Sequence, residues 1–131
     1  MNLDHHTLLA AAAEAATHAH APYSRYRVGA ALLTASGDLF RGCNVENASY
    51  GLTVCAERTA VFSAVAEGHR RFQALAVVAA GEQIPYPCGA CRQVLSEFCD
   101  EDTPIWVARA EFLDAPEVLT LGELLPKSFE L

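Results

Sequence analysis

The stretch Leu75-Ala76-Val77-Val78-Ala79-Ala80, then Gly81 to Pro87, then Cys88 to Cys99, then Ile105-Trp106-Val107-Ala108, decides the fold. Its first six residues form a continuous apolar run of strand length, the pattern of a strand buried on both faces. Gly81 to Pro87 reads as a loop, and Cys88 to Cys99 as a helix. Ile105 to Ala108 is a second short apolar strand. Strand, helix and strand in this order form a βαβ unit, which places two parallel strands in one sheet with a helix on its face.

Working outward, Cys55 to Gly68 predicts another helix. Ala60, Val61, Ala64 and Val65 line one apolar side, and Gly68 suits the position just past the helix end. Further upstream, Val28 to Leu33 predicts a strand, Ser36-Gly37-Asp38 a turn, and Leu39 to Cys43 a returning strand, hence a hairpin. Residues 3–20 are rich in Ala and Leu and predict a first helix, which Pro22 ends because proline cannot continue the hydrogen-bond ladder. Asn44 to Val54 is irregular, and a weaker strand near Val118 to Leu121 would close the sheet. The order predicts an α/β fold: a three-layer α/β sandwich around a mixed five-stranded sheet. A chain of 131 residues is expected to form one domain over 1–131.

Hydrophobic residues make up 52% of the chain and charged residues 19%, a globular composition whose slight apolar excess fits either buried subunit interfaces or Ala-rich helices. Net charge is −7, from 9 Lys+Arg against 16 Asp+Glu, with no basic run. Nucleic-acid binding would need a positive stripe, so a small molecule is the expected ligand. The apolar stretches are too short to span a bilayer. Five cysteines, two of them in C-x-x-C, and no secretion signal point to metal or redox use in a reducing cytoplasm.

Cys55-Ala56-Glu57 and Pro87-Cys88-Gly89-Ala90-Cys91 both fall at predicted helix starts. Free N–H groups and the helix dipole there favour the thiolate, the form that binds metal. Cys88 and Cys91, three apart, share one face, and Cys55 comes from the other helix. Three cysteines leave a fourth zinc position for water, whereas a structural zinc site closes with a fourth ligand. Neither Cys43 nor Cys99 nor any histidine has clear ligand spacing to the three. Glu57 supplies a carboxylate that can move protons between water and substrate. Arg58 and Arg92 are the candidates for offsetting thiolate charge by hydrogen bonding, with Arg58 preferred. Structural zinc and a C-x-x-C redox pair are the competing readings.

With these residues in place, the chain resembles the small homotetrameric cytidine deaminases. The two metal segments carry the C-x-E … P-C-x-x-C pattern general to zinc-dependent deaminases. The likeness extends to Pro22-Tyr23-Ser24, to Val28-Gly29-Ala30-Ala31-Leu32, to Cys43 through Gly51, and to Leu124-Leu125-Pro126 … Ser128-Phe129. The resemblance implies one Zn²⁺ per subunit on Cys55, Cys88 and Cys91, with Glu57 as proton shuttle and the backbone at Ala56 on the base. It implies Asn44 and Glu46 as the ribose contacts, since an amide and a carboxylate can accept from and donate to a hydroxyl. Tyr26 stands where the family often has a Phe against the pyrimidine, and its hydroxyl needs a partner. Ala48, Tyr50 and Phe129 would reach a neighbouring subunit's site, so an oligomer with composite sites, a tetramer, is implied. The implied activity is hydrolytic deamination of cytidine and 2′-deoxycytidine in pyrimidine salvage. Two readings compete with it: a deaminase on the same scaffold for an aminonucleoside antibiotic, a nucleotide or a polynucleotide base, and a catalytically dead, zinc-stabilised oligomer that acts as a binding module. Cys55 in place of a His, the acidic charge and the presence of Glu57 weigh against these.

Overall fold

The computed structural model describes residues 4–131. Its elements are α1 (His5–Ala16), β1 (Val28–Thr34), β2 (Leu39–Cys43), α2 (Ala56–Ala66), β3 (Phe72–Ala79), α3 (Gly89–Ser96), β4 (Pro104–Arg109), β5 (Glu117–Thr120) and α4 (Leu121–Leu124). The strands form one mixed sheet in the order β2-β1-β3-β4-β5. β1 runs antiparallel to both β2 and β3, β3 and β4 are parallel, and β5 returns antiparallel on β4.

Alternation along the strands divides the core in two. Ala31, Leu33, Ala74, Ala76, Val78 and Ala108 face α1 and pack with Leu8, Leu9 and Ala12. Their neighbours Ala30, Leu32, Leu75, Val77, Ala79 and Val107 face the other way and pack with Ala56, Ala60, Val61 and Ala64 of α2 and Leu95 of α3. Both faces of β1 and β3 are therefore covered, which explains why these strands are unbroken apolar runs rather than alternating ones. Helix, sheet and helix form the three expected layers.

Each helix layer approaches the sheet through a glycine. A Cβ at Gly29 would lie 1.9 Å from Ala12 O, and one at Gly42 would lie 2.4 Å from both Ala56 O and Ala60 N. At Gly42 the contact seats the first turn of α2, which Thr59 also ties down by donating to Cys43 O at 2.8 Å.

Several boundaries differ from expectation for tertiary reasons. α1 ends at Ala16 rather than at 20. The His20 backbone is drawn into pairing instead, its N–H donating to Asn44 O at 3.0 Å and its carbonyl accepting from Glu46 N–H at 2.8 Å. The expected start of that helix at Leu3 lies outside the described residues. α2 and α3 start one residue later than expected because Cys55 and Cys88 are their N-caps, and they end earlier, at Ala66 and Ser96. Gly68 closes α2 as expected, with φ +96° and His69 N–H bonded to Ala64 O at 3.0 Å. β3 starts at Phe72, three residues before the apolar run. α4 was not expected, although Thr120 and Glu123 form a capping box at its start.

The segment between β2 and α2 is a loop with a paired neck. Val45 N–H donates to Val54 O at 2.9 Å and Val54 N–H returns to Val45 O at 3.0 Å. No described helix is long and apolar enough to cross a membrane.

Candidate active site

The N-termini of α2 and α3 meet, and there the three cysteines converge. Cys55 Sγ lies 3.8 Å from Cys88 Sγ, and Cys88 Sγ lies 3.5 Å from Cys91 Sγ. All three sulfurs fall within 4.8 Å of one another. Zn–S bonds of about 2.3 Å in tetrahedral geometry set sulfurs roughly 3.8 Å apart. The cluster therefore has the spacing a zinc ion needs. Among the described residues it gathers three ligands and no fourth.

Its electrostatics follow from its neighbours. The Arg58 guanidinium donates to Cys55 Sγ at 3.4 Å, and Arg58 Nε is buried with no partner among the described residues. The contact with Cys91 and then Arg58 lowers the Cys55 thiol to about 5, so it is held as thiolate. Its neighbour Cys91 is pushed up by that same contact and by burial. The thiols of this cluster are thus prepared to share charge, the property that a metal ion exploits.

Glu57 sits in the first turn of α2 and is only 4% exposed. Burial raises its carboxyl to about 7, and the nearby Cys55 adds to the rise. A carboxyl titrating near neutrality can both take and give a proton at physiological pH. Ala56, beside it, is fully buried.

Arg92 takes a different place from the one considered for it. Its Nε donates to Pro87 O at 2.7 Å and its Nη1 to Leu124 O at 2.8 Å, so its described bonds go to backbone carbonyls, not to a thiol. The reason is tertiary: α4 brings the Leu124 carbonyl against α3. Arg92 ties the residue before Cys88 to the C-terminal part of the chain.

Asn44 and Glu46 flank the neck of the loop between β2 and α2. Asn44 is buried, accepts from Val28 N–H at 2.9 Å and donates to Tyr26 O at 2.7 Å. Glu46 is anchored by the Ser24 hydroxyl, by Ser24 N–H at 3.1 Å and by Tyr23 N–H at 2.9 Å. These partners hold its carboxyl below the ordinary range, the Ser24 hydroxyl most of all. Ser24 was missed as a site residue, since only the fold brings it to Glu46. Tyr26 is half-buried, and its hydroxyl finds Gln83 O at 3.4 Å. Burial and then Glu57 push its phenol up, so Tyr26 lies within the electrostatic reach of Glu57. Ala48, Tyr50 and Phe129 are exposed on this chain, Tyr50 at 78% and Phe129 at 69%. Tyr50 meets Tyr23 edge to face, with centroids 6.2 Å apart.

Three cysteines at zinc spacing, with a buried carboxylate on the same helix turn, define a zinc-dependent hydrolytic centre of the deaminase type. The pattern of the cytidine and deoxycytidylate deaminase zinc-binding region matches residues 2–107, and the chain belongs to this family. A cytidine deaminase of Halalkalibacterium halodurans is 50% identical over 127 residues, which are 97% of this chain and 95% of that one. The crystal structure of a cytidine deaminase from Burkholderia pseudomallei superposes with a TM-score of 0.90 at 48% identity, covering 97% of this chain and 100% of the other. That of Mycobacterium tuberculosis gives 0.85 at 43% identity, covering 99% and 100%.

Proposed function

We propose that this chain catalyses the hydrolytic deamination of cytidine and 2′-deoxycytidine to uridine and 2′-deoxyuridine, releasing ammonia. The observation that carries the reading is the buried Glu57, on the first turn of α2, beside three cysteine sulfurs at zinc spacing with no fourth ligand among the described residues. Cys55, Cys88 and Cys91 would hold the zinc ion. Zinc supplies a Lewis acid that makes a water molecule nucleophilic at neutral pH. Arg58 offsets the excess negative charge of the three thiolates.

Glu57 moves the protons. It takes one from the attacking water and delivers it to N3 of the pyrimidine, then helps transfer a proton to the departing amine. The C4–O bond forms first, as N3 takes up its proton; the C4–N bond then breaks as the remaining hydroxyl proton passes to the amine, which leaves as ammonia. Asn44 and Glu46 orient the sugar through its 3′-hydroxyl, the Ala56 backbone contacts the base, and the Tyr26 ring stacks on it. Val28 and Tyr26 hold Asn44, and Tyr23 and Ser24 hold Glu46, so both groups are positioned before the sugar arrives.

The chain acts as one domain in a homo-oligomer, a tetramer by family likeness, in cytoplasmic pyrimidine salvage. Support for an oligomer comes from the apolar surface that one protomer leaves in water: Tyr50, Phe129 and Leu52, the last 66% exposed. Ala48, Tyr50 and Phe129 would complete a neighbour's site.

The test follows absorbance in the ultraviolet with zinc-loaded protein and cytidine, beside cytosine, cytidine monophosphate and adenosine. Loss of the cytidine band with stoichiometric ammonia, for the nucleoside alone, is expected. An unchanged cytidine spectrum would overturn the reading.

A further inference from the structure

The loop of residues 81–87 carries the chain from the end of β3 to Cys88, and it is held mainly from outside. Its one described internal backbone bond runs from Tyr86 N–H to Ile84 O at 3.0 Å. The chain leaves the strand at Gly81, whose φ of +119° suits only glycine. From there, side chains of other elements fix it. Arg109 Nε donates to Gly81 O at 2.8 Å, the Tyr26 hydroxyl reaches Gln83 O, and Arg92 takes Pro87 O. The loop's own Tyr86 donates to the Glu117 carboxylate.

Arg109 differs from the others because it acts where the loop begins. It is the last residue of β4, and its Cα partner across the parallel ladder is Ala79, the last residue of β3. Its guanidinium lies over the Phe112 ring, 4.9 Å from the centroid. Stacking fixes the plane of the guanidinium and so the direction of its N–H groups. The bond to Gly81 O is charge-assisted, among the stronger kinds of hydrogen bond.

We propose that Arg109 is a positioning residue for the metal centre: stacked on Phe112 and bonded to Gly81 O, it fixes the start of the loop that delivers Cys88. The proposal rests on Cys88 being a zinc ligand. The described contacts of Arg109 are with Gly81 and Phe112, not with the cysteine cluster; it acts through the anchored segment 81–87.

The test compares the parent with Arg109→Met and Arg109→Lys by zinc release to a chromogenic chelator, well below the unfolding temperature. The visible spectrum of each cobalt-substituted protein is recorded alongside. Arg109→Met should release zinc about tenfold faster, the loss of a charged hydrogen bond. Its cobalt–thiolate absorption should shift. Arg109→Lys keeps a cation but not a flat stack, and should release zinc about threefold faster. Arg71→Met, which breaks an exposed ion pair with Asp100 at the far end of β3, should release zinc at the parental rate. Parental release and an unchanged cobalt spectrum in the Arg109 variants would overturn the proposal, whatever their melting temperatures. If Arg109→Met does not fold, Arg109→Lys decides alone on the same readings. A parent that holds no zinc would instead overturn the function proposed above.

Discussion

The two faces of the sheet use one packing device for different ends. Gly29 lets α1 settle on one face, and Gly42 lets α2 settle on the other. They stand on adjacent rungs of the same hairpin, Gly29 opposite Cys43 and Ala30 opposite Gly42. In both cases a helix backbone lies where a Cβ would otherwise be. Yet α1 carries none of the proposed site residues, while the first turn of α2 carries Glu57 and Arg58, with Cys55 as its cap. The same close approach is scaffolding on one side and site geometry on the other. A perturbation of equal size should therefore give different readouts on the two faces.

The largest effect should come from removing a ligand on the site face. Cys88→Ala is expected to leave the protein without stoichiometric zinc and without measurable turnover, as metal analysis of the purified variant would show. Retained zinc would remove Cys88 from the ligand set.

Next, Glu57→Gln should lower turnover by about 10³-fold, within the range for loss of a general acid–base, while zinc content stays full. On the α1 face, Glu14→Gln disturbs only exposed contacts to His18 and Arg41 and should change turnover less than about twofold. Near-parental rates in Glu57→Gln would erase the contrast between the faces and end its role as proton shuttle.

The glycines sharpen the comparison most directly. Gly29→Ala and Gly42→Ala should each cost about 1–3 kcal/mol or more, since each forces backbone apart. Thermal unfolding measures that loss. Only Gly42→Ala should also weaken zinc binding in the folded protein. Equal zinc affinity in the two variants would mean that α2 keeps its first turn in place without the close contact.

The smallest effect concerns pH. Glu46 has its folded carboxyl lowered from the ordinary 4.5 by the Ser24 hydroxyl and the neighbouring N–H groups. The ionised form is thus favoured in the folded state, so its stabilisation is present above pH 4.5. It is lost as pH falls through 4.5 toward the lowered folded value. The melting difference between parent and Glu46→Gln should therefore shrink as pH drops from 6 to about 3.5. A difference that grows would contradict the anchoring of Glu46 seen here.

What could be read from the sequence was what neighbouring residues decide together. The β1–β2 hairpin follows from two apolar runs around Ser36-Gly37-Asp38, and the end of α2 from Gly68. The cysteines could be grouped because helix starts and a three-residue spacing are local facts. The early end of α1 was hidden, because it depends on His20 pairing with a segment more than twenty residues away. For the same reason the antiparallel pairing of β1 with β3, the Ser24 anchor of Glu46 and the destination of Arg92 were not legible. Each needs a partner that only the finished fold supplies. α4 is the exception: Thr120 and Glu123 carried a local signal, but four residues give it little periodicity to confirm it.

The paired neck at Val45 and Val54 has a consequence for descent with modification. It clasps the base of a loop immediately beyond Asn44 and just before Cys55. Changes at the tip, between residues 47 and 52, end at that clasp and leave both anchor points where they are. The tip is thus an exchangeable part on a fixed mount. Lineages could rewrite what the chain displays on this surface, residue by residue, without moving its own Asn44 or Cys55.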